Sequence, residues 1–588
     1  MKPTLTTTDN FEIRMADFKT LSDALDYAAQ SECGLNFYDS RAALTHVLTY
    51  SDLRKKAKNL AKHLLSHPNI YRGDRISIVA EMSPEFVTLF FACQYAGLFA
   101  VPLPAVSGLG SRDGYESQLT RIIETSNAKM ALGSAKVQDS LIKATSDLNV
   151  PLIGTIDDIT SIPNTGPDLH PLKDHEQSHI QFSSGSTRKP LGIQISQKAL
   201  MANARAVALD GLKFRPHDRV ASWLPFYHDM GLIGFLIIPL CCQMSIDYLQ
   251  TDGFARRPLG WLKIISDNRC TMAYSPSFGY ELCSRRMKRQ KDLDLDLSCW
   301  RVAGIGGEMV QPEVLEEFSD IFSGHGFAAK AFVPSYGLAE MTLAFSFAPL
   351  DTGIQIDRVE KESLLDHNLA NHTNDEDNSR DFALCGIPLK NHDLEIRDDS
   401  GNVLPERQVG SVVISGPSLM SGYDLNEEET NRVLLLNGWL DTGDKGYMID
   451  GNLVITGRTK DLLIINGRNI WPQDLEWQVE QEIDILNSRD TAAFAVTSDK
   501  GKDEAVILAH CRTHDKNARK KLRKDIQAII FRTSGIHCKV MLLAPGSLPF
   551  TTSGKLSRNQ ARLNYIKGRY TDIEMLDDKI ATKNAASA

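Results

Sequence analysis

The chain has 588 residues, 42% hydrophobic and 24% charged, with 65 Lys and Arg against 74 Asp and Glu for a net charge of −9. That balance gives nucleic acid and anionic membrane surfaces no general electrostatic reason to be the main partner, while the length suffices for three or four ordinary domains, or for one large domain with appendages. Ten cysteines without a CxxC pair speak against a zinc cluster and for reduced, mostly buried thiols in a cytoplasmic protein.

The opening MKPTLTTTDNFEIRMADFKTL lacks an apolar core segment, so no secretory leader is expected. Next come stretches that read as amphipathic helices, such as LRKKAKNLAKHLLSH and PEFVTLFFACQYAG. They alternate with short apolar runs that read as strands: RISIVAE, SHIQFSS, RVAGIGGE and LEIRD. This alternation predicts an α/β fold with a substantial parallel sheet. Residues 151–176, with four prolines, and the almost wholly polar 357–381 read as loops. The longest apolar run, Gly231 to Met244, is 14 residues with a proline, too short to span a membrane.

After Gly386 the texture changes to Gly-punctuated short strands, VGSVVISGPSLMSGYD and GYMIDGNLVITGR, which predict a small β-rich subdomain over about 386–457. The expected architecture is therefore a large amino-terminal domain, 1–457, of layered α/β subdomains plus that β-rich one. A hydrophilic break at 458–461 follows, and then a smaller α/β domain, 462–588, ending in a frayed tail. No repeat of 20 to 50 residues is present. Two basic runs, RRMKRQK at 285–291 and KNARKKLRKD at 516–525, read by default as solvated helix faces, with a docking patch for an acidic protein as the alternative.

One loop stands out. SSGSTRKPLG, Ser183 to Gly192, follows a candidate strand and precedes the helix-like SQKALMANARAVAL. Hydroxyls and Gly185 in that setting suit an anion clamp, although the GxxxxGK[ST] spacing of a Walker loop is absent and a solvated turn has the same composition. Further segments carry chemistry-bearing residues in order: WLPFYHDMGLIG with His228, GIGGE at 304–308, PSYGLAEMT with Tyr336 and Glu340, WLDTGDKGYM with Asp444, GRTKD with Arg458, and PFTTSGKLSR with Lys555.

In this order the segments resemble the motifs of the acyl-adenylate-forming superfamily: acyl-CoA synthetases, luciferases and peptide synthetase adenylation domains. The resemblance implies that Ser183, Ser184, Gly185, Ser186 and Thr187 hold phosphates of ATP. Arg188 replaces the family's glycine and Leu191 its lysine, so Arg188 or Lys189 would supply the displaced charge. It also implies that Gly306, Gly307 and Glu308 border the adenine with Ser335, Tyr336 and Gly337, Tyr336 stacking on the base. Glu340 would bind Mg2+, Ala339 standing where a threonine is usual; Asp444 and Arg458 would hold the ribose. His228 would border the carboxylate and α-phosphate, and Lys555 would bridge these two anions, swung in on the small domain about Lys460.

The wording SSGST, WLPFYHDMGL and YGLAEMTL resembles most the fatty acyl-AMP ligases, which pass a fatty acyl-adenylate to an acyl carrier protein. That branch implies an extra segment restraining domain rotation, expected at about 351–380. Met230, Ile233 and Phe278 are the expected acyl-pocket residues. An acyl-CoA synthetase, or a scaffold that binds nucleotide without turnover, remains open on sequence alone.

Overall fold

The computed structural model describes residues 2–4, 11–106, 112–182, 190–290, 293–376, 378–465, 468–497, 503–551 and 555–573. Two mixed sheets carry the large domain. In the first, the strands Phe332–Gly337, Val302–Ile305, Met272–Ser275, Arg219–Ser222, Ser245–Leu249 and Gly34–Tyr38 run parallel side by side, with antiparallel strands closing both edges. In the second, Gln177–Phe182, Phe99–Leu103, Arg75–Val79, Met130–Leu132 and Leu152–Gly154 are parallel, and Gly192–Ser196 pairs antiparallel with Gln177–Phe182.

Between the sheets lies the helix Pro84–Ala96, capped by Ser83 and stopped by Gly97 at φ +70°. Its sequence reads as amphipathic, but every residue from Phe86 to Ala96 is buried. Phe86 stacks on Phe226 at 5.5 Å and Phe90 meets His179 edge-on at 5.7 Å. A helix that is apolar all round belongs between layers rather than on a surface.

Two further expectations change. The segment 183–189 lies outside the described residues, but the strands that bracket it pair, Phe182 opposite Gly192. The loop is therefore followed by a strand, Gly192–Ser196, before the helix Gln197–Ala206 begins at its Ser196 cap. The alternation Ile193, Gln194, Ile195 with the isoleucines buried is the period-2 pattern that explains it. Residues 357–381 also contain structure: Ile356–Glu360 pairs with Ser379–Ala383, and the short helix Lys361–His367 lies between. The strand Ile356–Glu360 carries Asp357, 4% exposed, which accepts from Tyr447 Oη at 2.7 Å and pairs with Arg407 at 3.2 Å. A paired charge at a core position makes such a strand read as loop.

The β-rich part holds Asp393–Arg397, Gly410–Ser415 and Trp439–Ile449 in one antiparallel sheet, and the last of these also pairs with Asn452–Arg458. Beyond Arg458 a separate hydrophobic cluster, from Leu463 to Ile573, forms the core of the smaller carboxy-terminal domain. There Thr491–Thr497, Asp503–His510 and Cys538–Leu543 make a three-stranded sheet, with the helices Pro472–Glu482 and Lys516–Ser534 packed beside it. The basic run on the latter helix is partly structural: Arg519 is 3% exposed and Arg523 pairs with Asp572 at 3.0 Å. All ten cysteines are unbridged, and no described helix is long and apolar enough to cross a membrane.

Candidate active site

A cavity of about 580 Å³ opens where the carboxyl ends of the first sheet meet the β-rich part and the small domain. This is where ligands sit in open α/β sheets. It has a polar half and an apolar half.

The polar half is built on strand ends. Val302–Ile305 stops at Gly306 and Gly307; Gly307 has φ +82°, a conformation that favours glycine, and a Cβ there would lie 3.2 Å from Met230 Cε and 3.8 Å from Lys555 Nζ. Ser335, Tyr336 and Gly337 end the neighbouring strand, where Ser335 Oγ donates to Ile305 O at 3.0 Å. The next turn carries Glu340 and is tightly wound. Thr342 has φ +66° and ψ −60°, Leu343 N donates to Met341 O at 2.8 Å, and Thr342 Oγ1 donates to Ser418 O at 2.6 Å. A buried β-branched residue in this three-residue turn is strained. The Glu340 carboxylate in this turn accepts from Tyr423 Oη at 2.9 Å. Burial raises the Glu340 pKa against that bond.

Opposite stand Asp444 and Arg458, register partners across the hairpin of Trp439–Ile449 and Asn452–Arg458. Asp444 is 5% exposed, accepts from Tyr336 Oη at 2.6 Å and lies 3.2 Å from Arg458 Nε. His228 Nδ1 is 2.6 Å from Asp229 Oδ1. Burial opposes ionisation of Asp229, but His228 and then Lys555 bring its pKa below the ordinary value. Lys555 follows residues 552–554, which lie outside the described set; Thr551 N donates to Lys555 O at 2.7 Å and Lys555 N to Thr551 Oγ1 at 3.0 Å, closing the loop at its base. Burial, with Arg458 acting the same way, lowers the Lys555 pKa below the usual lysine value.

The apolar half is lined by Val207, Leu212, Phe214, Phe235, Met272 and Phe347, among others. Two wide helical turns with i→i+5 bonding, Val207–Gly211 and Met230–Ile237, contribute to its wall, a form that recurs at functional sites. Tyr274 lies against Gly304 so closely that an added Cβ would fall 1.9 Å from its ring.

The structure thus brings His228, Met230, Phe278, Gly306, Gly307, Glu308, Ser335, Tyr336, Gly337, Glu340, Asp444, Arg458, Lys460 and Lys555 to one cavity. Ser183, Ser184, Gly185, Ser186 and Thr187 are not among the described residues. Ile233 is a correction: it is fully buried in the core and does not line the cavity, because Met230, Gly234 and Phe235 occupy the facing side of its helix. Sequence reasoning missed Asp229, signalled by its place beside His228. It also missed Tyr423, which has no local signal at all.

Comparison with known proteins places this geometry. A family model described as AMP-binding enzyme matches residues 33–424. A Caulobacter vibrioides protein described as a candidate acyl-CoA synthetase is 46% identical over 561 residues, covering 95% of this chain and 97% of its own. The medium-chain-fatty-acid–[acyl-carrier-protein] ligase JamA of Moorena producens is 28% identical over 601 residues, covering 97% and 99%. A solved structure from work on fatty acyl-adenylate ligases of E. coli and L. pneumophila is 43% identical with a TM-score of 0.90, covering 95% of this chain and all of that one.

Proposed function

Since this chain belongs to the AMP-binding enzyme family and is an acyl-adenylate-forming ligase that activates fatty acids, we propose that it passes the acyl group from acyl-AMP to the thiol of an acyl carrier protein. A fatty carboxylate oxygen attacks the α-phosphorus of ATP, the bond from that phosphorus to the oxygen bridging toward the β-phosphate breaks, and pyrophosphate leaves. The carrier thiolate then attacks the acyl carbon, the carbon–oxygen bond to AMP breaks, and the thiol proton goes to solvent.

The observation that carries this reading is the joining of the two halves: an apolar channel ends at the cavity wall that bears Lys555, His228 and the Asp444–Arg458 pair. The first step brings one anion onto another, so its barrier is mainly electrostatic and falls with preorganised positive charge. Lys555 neutralises carboxylate and α-phosphate together, Arg458 and Asp444 hold the ribose, and Tyr336 borders the base. The apolar wall excludes water from the adenylate. Glu340 fits a Mg2+ ligand, since this ion takes one or two carboxylates and completes its shell with phosphate oxygens and water; bound there, it would offset phosphate charge.

The carrier-protein acceptor is supported by the hairpin at 356–383. Its Arg380, 9% exposed, pairs with Asp474 of the small domain at 2.8 Å, a contact that holds the small domain in the pose that brings Lys555 to the cavity. The description of the Caulobacter relative favours a second reading, in which CoA is the acceptor. Mass spectrometry decides between them. With ATP, Mg2+ and a fatty-acid mixture, acyl-AMP and AMP should form, and acyl transfer should occur to a carrier protein and not to CoA. Rapid acyl-CoA formation would establish the second reading.

A further inference from the structure

Resting on the adenylation reading, we infer that Arg489 is a positioning residue, a latch on the small domain that docks beside Glu308 and sets Lys555 in place for adenylate formation. Its guanidinium lies 4.4 Å from the ring centre of Phe278 in the large domain and 4.7 Å from that of Phe550 in the small domain. Phe550 sits at the base of the Lys555 loop, opposite Leu556 in an isolated bridge. One cation is thus clamped between aromatic faces of both domains, an arrangement that strengthens when water is excluded.

The turn that carries it is rigid. Arg489 has φ +67°, an uncommon conformation for a residue with a side chain. It is held there by Asp490, 5% exposed, which accepts from Asn487 N at 2.7 Å, lies 3.0 Å from His510 Nδ1 and pairs with Arg512. Strain kept in place by such over-determination marks a residue whose direction matters. The same turn touches the large domain again where Arg285 Nη2 donates to Asn487 Oδ1 at 2.8 Å.

The electrostatics explain the target. Glu308 accepts from Phe278 N at 3.4 Å, and burial raises its pKa while Arg489 and Lys555 together favour its charged form. Glu281 and Glu480 also face Arg489. Two small-domain cations therefore converge on one large-domain carboxylate. With Arg489 absent, Glu308 would have Lys555 as its compensating cation and would draw it away from the reacting anions. Arg489 bridges Phe278 and Phe550 in the pose that brings Lys555 to the cavity, so the latch acts on adenylate formation.

The test is fatty-acid-dependent ATP–pyrophosphate exchange by the full-length chain and its Arg489→Ala, Arg489→Lys, Lys555→Ala and Arg489→Ala/Lys555→Ala variants, with Tm measured for each. Misplacing a catalytic group by about 1 Å costs up to about 100-fold, so Arg489→Ala should lower exchange kcat by about 10- to 100-fold with little change in the KM for ATP. Arg489→Lys, which keeps the charge, should recover part of the loss. Because Arg489 acts through Lys555, the double variant should be no slower than Lys555→Ala alone. An unchanged rate in Arg489→Ala, or losses that multiply in the double variant, would overturn the latch. A wild-type chain without any fatty-acid-dependent exchange would instead sink the adenylation reading beneath it.

Discussion

The two halves of the cavity are built on opposite principles. In the polar half the functional groups meet partners before any ligand arrives: Tyr336 with Asp444, Asp444 with Arg458, His228 with Asp229, Tyr423 with Glu340. In the apolar half there is only shape, made by side chains such as Val207, Leu212 and Phe347 that belong equally to the core. The proposed function thus predicts that rate and selectivity are separable here. On the proposed function, charges preorganised around a fixed anion position would set the speed of the chemistry, whereas the bore of the apolar half would set which acid reaches it.

The sharpest way to break that separation is at Lys555. Lys555→Ala should lower pyrophosphate exchange by roughly 10²- to 10³-fold and by the same factor for every chain length, measured across a series of fatty acids. A loss that varies with chain length would show that the halves are coupled. A smaller effect is expected from Leu212→Trp, which fills the channel and leaves the charges alone. Its kcat/KM should fall about tenfold or more for long acids, since each methylene is worth about 1–3 kcal/mol in such a pocket, while short acids should be little affected. Equal loss for all acids would point to general misfolding, which a lowered Tm would reveal.

The smallest effect is a pH shift. Lys555 faces Arg458, Asp229, Glu308 and Asp444, and burial lowers its pKa below the ordinary 10.5 despite the three carboxylates. On the proposed function the cation neutralises the reacting anions, so activity should be present below the lysine pKa and lost as pH rises through it. The alkaline limb of kcat/KM, which reports the free enzyme, should therefore lie below pH 10.5 and be absent from the residual activity of Lys555→Ala. A limb at the ordinary lysine value would show that burial of this amine is of no consequence.

How much of this was legible follows the same division. The polar residues sit in short segments whose local wording is constrained, because the backbone turns sharply at Gly307 and a strand ends at Gly337. Reading those segments located Asp444, Arg458 and Lys555 across long stretches of chain. The channel carries no such wording. Ile233 and Phe235 are two residues apart in one apolar run, and only the wide helical turn decides that Phe235 faces the cavity while Ile233 faces the core. The hairpin at 356–383 was hidden for another reason: Asp357 takes a core position with charged and hydroxyl partners from distant segments, so the period-2 pattern of apolar residues is broken.

The flat contact of Tyr274 on Gly304 has one more implication. A single methyl on that glycine would fall 1.9 Å from the phenol ring, which lines the cavity, so the ring or the paired strands must shift to admit it. On the proposed function, one codon in the middle of a sheet should therefore alter the preference for longer or shorter acids.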